Sequence, residues 1–177
     1  MQSKPKLFFA VTSPLACNFY KGVLGHLRRA AFDPVMLSSP GANLIEVSAM
    51  EGVPSIAIPM ERQIAPVQDL ASLWRLYWTV RLVHPTVTDV STPKAGLLTG
   101  IAAWLARVPC RVYTLRGLRL ETASGLKRSL LWAAEWVACA CSHRVVCVSP
   151  SLRARAIGLR LILPEKAVVL AKGSGGV

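Results

Sequence analysis

Four short segments of this 177-residue chain set hydroxyls or cations where an anion can be held. Thr12-Ser13-Pro14 follows an apolar run but lacks the G-x-G-x-x-G pattern, so nothing there favours a dinucleotide. Ser13 can hydrogen-bond a ligand or serve a turn before proline. Arg62, in Pro59-Met60-Glu61-Arg62, can fork onto a phosphate or carboxylate, or pair with Glu61. Thr92-Pro93-Lys94-Ala95-Gly96 reads as a helix start, with Thr92 as cap and Pro93 in the first helical position. Free N–H groups at such a start attract anions, Lys94 adds a full charge, and Ala95 and Gly96 leave room for close approach. A plain helix start explains Thr and Pro but not Lys, because cations are disfavoured in a first turn. Arg116-Gly117-Leu118-Arg119 places two arginines about a glycine turn, a pattern that suits a phosphate clamp or an exposed basic turn.

The chain carries 21 Lys and Arg against 9 Asp and Glu, a net charge of +12 that attracts polyanions. Its basic residues are dispersed, and no zinc-finger, RNP or basic-zipper pattern occurs, which argues against nucleic acid. Phosphorylated substrates and an anionic membrane surface are left. At 53 % apolar and 17 % charged residues, the chain is not a disordered one. Its length is enough for one domain that buries roughly 70 % of its unfolded surface. No charge-free apolar run reaches the ~18 residues of a membrane span, and no secretory signal opens the chain, so the expectation is a cytoplasmic protein. Five cysteines without paired spacing read as small buried hydrophobes, and His26, His84 and His143 are scattered, so no metal is expected.

Apolar patterning alternates between two periods. Short apolar runs at residues 7–11, 34–37, 53–58, 86–90, 111–115, 145–148 and 168–170 read as strands, the first buried on both faces. Helical spacing marks 21–31, 43–51, 67–82, 94–106, 125–141 and 151–159. In the third helix Val67, Leu70, Trp74, Tyr77 and Arg81 share a stripe. In the fifth, Leu126, Leu130, Ala133, Val137 and Cys141 point one way and Arg128, Glu135 and Ser142 the other. Trp132 and Trp136 suit either packing or a membrane interface. The alternation predicts a Rossmann-like α/β fold, a parallel sheet with helices on both faces. Ligands of such sheets bind beyond the carboxyl ends of the strands at a topological switch point, and all four segments above follow strands.

In that order, Thr12-Ser13-Pro14-Leu15, Pro59-Met60-Glu61-Arg62, Thr92-Pro93-Lys94-Ala95-Gly96-Leu97-Leu98 and Tyr113-Thr114-Leu115-Arg116-Gly117-Leu118-Arg119 resemble bacterial family 4 glycosyltransferases. Ser124-Gly125-Leu126-Lys127-Arg128, Val148-Ser149-Pro150-Ser151-Leu152 and Gly173-Ser174-Gly175-Gly176-Val177 extend the likeness over essentially the whole chain. It implies the N-terminal half of a GT-B fold: an acceptor-side domain at 1–172, the start of a linker at 173–177, and a donor domain that is absent. It also implies retaining transfer of a hexose from a nucleotide-sugar to a polyprenyl-diphosphate-linked acceptor, in capsule, exopolysaccharide or glycan-precursor synthesis. No cofactor is implied beyond the donor substrate, which the absent domain mainly binds, so the fragment is expected to be inactive alone. Ser13, Arg62, Lys94, Arg116 and Arg119 then become the acceptor-phosphate contacts, with the catalytic residues unassigned. Where the family commonly has His-x-His and His-Gly, this chain has Asp89-Val90-Ser91 and Arg116-Gly117, and an arginine cannot act as a general base. A lipid-linked acceptor also gives the basic surplus a use, at the inner face of the bacterial membrane. The alternative is a non-catalytic basic module that docks on a membrane or a protein partner.

Overall fold

The computed structural model describes residues 4–61 and 63–170. Arg62 and the expected linker at 173–177 therefore lie outside the described residues. Seven strands, β1 (Lys6–Ala10), β2 (Asp33–Ser38), β3 (Ser55–Ala57), β4 (Val87–Ser91), β5 (Cys110–Leu115), β6 (Arg144–Cys147) and β7 (Ala167–Val168), form one parallel sheet in the order β3-β2-β1-β4-β5-β6-β7. Six helices connect them: α1 (Val23–Arg29), α2 (Ala42–Glu51), α3 (Pro66–Val83), α4 (Pro93–Leu105), α5 (Gly125–Cys141) and α6 (Pro150–Gly158). Two 3₁₀ segments, Pro14–Tyr20 and Arg119–Thr122, have no counterpart in the apolar periodicity.

Alternation along β1 explains the layering. Phe8 and Ala10 face a core built with α3, α4, α5 and α6, whereas Leu7, Phe9 and Val11 face a smaller one under the Pro14–Tyr20 segment, α1 and α2. Both sets are buried, as an uninterrupted apolar run requires, and a fully enclosed side chain such as Phe8 contributes about 2–3 kcal/mol. Because β1 pairs with β2 on one side and β4 on the other, chain direction across the sheet reverses between β1 and β4. The switch point lies there, flanked by the loops that follow these two strands.

Two helices turn other faces to the sheet than their apolar spacing predicts. On α3 the buried stripe is Ser72, Leu76 and Val80, and of the expected stripe only Tyr77 is partly covered; Val67, Leu70 and Trp74 face solvent. Ser72 is buried because its hydroxyl donates to the carbonyls of Pro59 (2.6 Å) and Gln68 (2.8 Å). On α5 Glu135, Ala138 and Cys139 point inward, while Leu126 and Leu130 are exposed.

Candidate functional site at the switch point

Thr12, two residues after β1, and Thr92, directly after β4, join the two loops. The Thr92 hydroxyl accepts the Thr12 backbone N–H at 3.0 Å and lies 2.8 Å from the Thr12 hydroxyl. In turn the Thr12 hydroxyl accepts the N–H of Ala95 at 3.0 Å. The helix start at Pro93 is thus capped from another strand, not by Thr92 as the sequence predicts. Freed from capping, Thr92 has φ +82°, a conformation that a β-branched residue adopts only under constraint.

Lys94 has a structural partner that the sequence did not disclose. Its Nζ lies 2.7 and 3.0 Å from the two carboxylate oxygens of Asp69 in the first turn of α3, and it also donates to the Gln63 carbonyl. This half-buried pair ties α3 to α4 and offsets the Lys94 charge. Gly96 likewise serves packing: a Cβ there would sit 2.6 Å from the ring of Tyr113 on β5, so the close approach it permits is to the core.

The cations after β5 are placed differently. The Arg116 guanidinium lies 4.3 Å from the Phe19 ring centroid and 5.6 Å from that of Tyr20, stacked on the 3₁₀ segment. Its Nε is buried and has no hydrogen-bond partner among the described residues. Arg119 is exposed. Below Arg116, Asp89 on β4 accepts the Thr114 hydroxyl at 2.8 Å, and the Tyr20 and Ser91 hydroxyls meet at 3.0 Å. Burial raises the Asp89 carboxyl from 3.8 to about 6, with the Thr114 hydrogen bond and the nearby Arg116 pulling the other way. Tyr20 is pushed above its ordinary range by burial and by the adjacent Asp89.

Ser13, Lys94 and Arg119 line one cleft of about 580 Å3, together with Asn18 and Phe19. That size lies within the range of small-molecule sites. A smaller cavity continues it past Phe19, Thr92 and Pro93 to Arg116. The structure thus brings four of the five expected residues to one connected crevice at the switch point. Sequence reasoning missed Asn18, Phe19 and Tyr20, because a 3₁₀ segment has no apolar period to mark it. It singled out Asp89 and Ser91 only as departures from a pattern. Asn18 Oδ1, like Arg116 Nε, is buried without a hydrogen-bond partner among the described residues.

A parallel sheet with a cleft at its switch point makes a Rossmann-like α/β domain, here the N-terminal half of a GT-B fold. The glycosyl transferase 4-like domain family matches residues 18–173, and the chain belongs to that family. It is 35 % identical over 169 residues to the capsular polysaccharide biosynthesis glycosyltransferase CapM of Staphylococcus aureus, covering 96 % of this chain and 44 % of the relative. It is 29 % identical over 115 residues to the UDP-Gal:alpha-D-GlcNAc-diphosphoundecaprenol alpha-1,3-galactosyltransferase of Escherichia coli, covering 63 % of this chain and 29 % of that one. Among solved structures, Anabaena Alr3699/HepE in complex with UDP-glucose superposes with a TM-score of 0.68 at 16 % identity, over 96 % of this chain and 44 % of that one. A UDP-N-acetylglucosamine 2-epimerase gives 0.73 at 14 % identity, over 94 % and 48 %. At such identity these two show the fold alone. The chain spans less than half the length of the curated relatives it matches.

Proposed function

We propose that residues 1–172 are the acceptor-side domain of a hexosyltransferase that moves a sugar from a nucleotide-sugar to a polyprenyl-diphosphate-linked acceptor with retention. The observation that carries this reading is the meeting of Ser13, Lys94, Arg116 and Arg119 in one crevice of a family member. Because Asp69 offsets Lys94, the two arginines are the cations best placed to hold the acceptor diphosphate, with the Ser13 hydroxyl available to neighbouring sugar hydroxyls. Support for the ligand classes comes from the relatives: the E. coli enzyme is named for a diphosphoundecaprenol acceptor and a UDP-sugar donor, and Alr3699/HepE was crystallised with UDP-glucose. Bound in this cleft, the acceptor hydroxyl is held still while a donor-binding half supplies the activated sugar, so positioning contributes much of the rate. Groups that stabilise the departing nucleoside diphosphate belong to that other half. Such an enzyme works in the cytoplasm against the inner face of the bacterial membrane, and no helix of the described residues is long and apolar enough to cross it.

The test is binding of a short-chain polyprenyl diphosphate sugar to this chain by calorimetry, with a UDP-sugar added to assay transfer. Arg116→Ala and Arg119→Ala are each expected to weaken binding about tenfold, the loss of a charge-assisted contact of about 1.4 kcal/mol. Lys94→Ala is expected to weaken it less. No transfer is expected from the 177 residues alone. Binding indifferent to both arginine substitutions would sink the acceptor assignment, and turnover by this chain would sink the division of labour.

A further inference from the structure

We propose that Asp89 is a positioning residue that fixes the Arg116 guanidinium in the crevice through its charge, without touching the acceptor. The inference rests on the acceptor reading above and adds the device that aims one of its two arginines. Asp89 lines neither cavity of the crevice, whereas Arg116 lines one of them. On β4, Asp89 is in register with Phe9 of β1, and Ser91 with Thr114 of β5, so these four side chains share the face under the Pro14–Tyr20 segment. Tyr20 covers that face: its ring lies 5.1 Å from the Phe9 ring, and its hydroxyl 3.0 Å from that of Ser91. Thr114 donates to Asp89 Oδ1 at 2.8 Å, and two residues further along the chain Arg116 lies against Phe19 and Tyr20. The guanidinium is near enough to draw the Asp89 carboxyl down against the effect of burial.

An aromatic face fixes the plane of a guanidinium but lets it turn within that plane, and a carboxylate to one side sets which edge turns outward. Among the described residues Arg116 forms no ion pair and its buried Nε has no hydrogen-bond partner, so the longer-range pull of Asp89 is what orients it. Asp69 and Glu121 are engaged by Lys94 and Arg155. The Thr114 hydroxyl holds the carboxylate toward that task. Among the groups packed against Asp89, Tyr20 is pushed above its ordinary range and stays neutral, Phe9, Ser91 and Thr114 do not titrate near neutrality, and Arg116 keeps its charge. Asp89 therefore changes alone in this group: above about 6 it is ionised and holds Arg116, and below that it is protonated and releases it.

Magnetic resonance of the nitrogen-15-labelled 177-residue chain tests this without any ligand, with R116K identifying the Arg116 Nε–H signal by its loss. The heteronuclear NOE of that signal is expected to match the rigid backbone at pH 7 and to fall by at least half at pH 5. In D89N it is expected to be low at both. Because D89N keeps the side-chain shape and the acceptor for Thr114, a merely structural Asp89 predicts wild-type values in this variant, and that result overturns the proposal. Titration with inorganic pyrophosphate at pH 7 adds the binding readout. D89N and T114V are expected to bind it at least threefold more weakly than wild type, while T114S, which keeps the hydroxyl, stays within twofold. Tighter binding by D89N overturns the proposal, since Asp89 would then be only an opposing charge. Should D89N or T114V misfold by circular dichroism, the wild-type comparison decides: an NOE that falls at pH 5 supports the proposal and one indifferent to pH overturns it. A wild type that ignores pyrophosphate counts against the acceptor reading, and the NOE then judges Asp89 by itself.

Discussion

Glu135 sits on the buried side of α5, 2 % exposed, with Oε2 accepting the Tyr113 hydroxyl at 2.8 Å and Oε1 unpartnered among the described residues. Burial raises its carboxyl from 4.5 to about 7, although the Tyr113 hydrogen bond favours ionisation. A carboxyl raised by folding holds its proton longer in the native state than in the unfolded one. Below about pH 4.5 both states are protonated and nothing is lost; as pH climbs from 4.5 through 7 the unfolded chain ionises first and stability falls. Asp89 adds a loss of the same sign between 3.8 and about 6. Glu135→Gln is therefore expected to remove a pH-dependent loss on the order of 3 kcal/mol between pH 4.5 and 8, seen as a flatter urea midpoint against pH. If wild type and variant fall in parallel, the carboxyl is not the source. At Thr12 a different cost applies. Thr12→Val keeps the shape but leaves the Ala95 N–H and the Thr92 hydroxyl short of a partner, so a loss of about 1–3 kcal/mol is expected in the same unfolding experiment. Neither role could be read from the sequence. Thr12 and Ala95 are 83 positions apart, and a lone Glu in an amphipathic helix looks like part of its solvated face.

The strands and most helix spans were legible because each apolar run was short, continuous and bounded by turn residues. Gly52 even ends α2 in the left-handed conformation that its position predicts. Helix orientation was not legible, and α3 and α5 show why. Apolar periodicity reports that a helix has a greasy side, not that this side meets the sheet; Ser72 and Glu135 go inside because specific partners await them there. α4 shows the opposite limit, a helix so rich in small residues that it presses directly on β5 and α5. Gly96→Ala would place a methyl 2.6 Å from Tyr113 Cε2, on a ring that Glu135 holds in place. The expected overpacking cost of about 1–3 kcal/mol outweighs the helix-propensity gain of about 1 kcal/mol. Gly100→Ala meets nothing nearer than Cys141 Cβ at 3.7 Å, so the same substitution one turn on should be neutral or stabilising by up to about 1 kcal/mol. Thermal unfolding of the two variants side by side checks the pair; equal effects would show that α4 does not bear on Tyr113 as closely as described.

Over the whole molecule, a charge of +12 draws any diphosphate toward the chain from all sides, yet only charges at the crevice set where it stops. The two arginines there differ in how solvent reaches them. Arg119 is exposed, so its attraction is screened over a Debye length of about 10 Å at 0.1 M salt. Arg116 is packed against Phe19 with a buried Nε and is screened much less. Titrating a short-chain polyprenyl diphosphate at 0.05–0.5 M salt should separate the two on the proposed reading. Arg119→Ala is expected to flatten the fall of log affinity with log salt, because the contact it removes is the screened one. Arg116→Ala is expected to lower affinity by a similar factor at every salt concentration and leave the slope of wild type. A common change of slope in both variants would mean that the Phe19 platform does not shield the guanidinium. The crevice would then be an open basic surface, and the field of the whole chain, rather than a built site, would account for the binding.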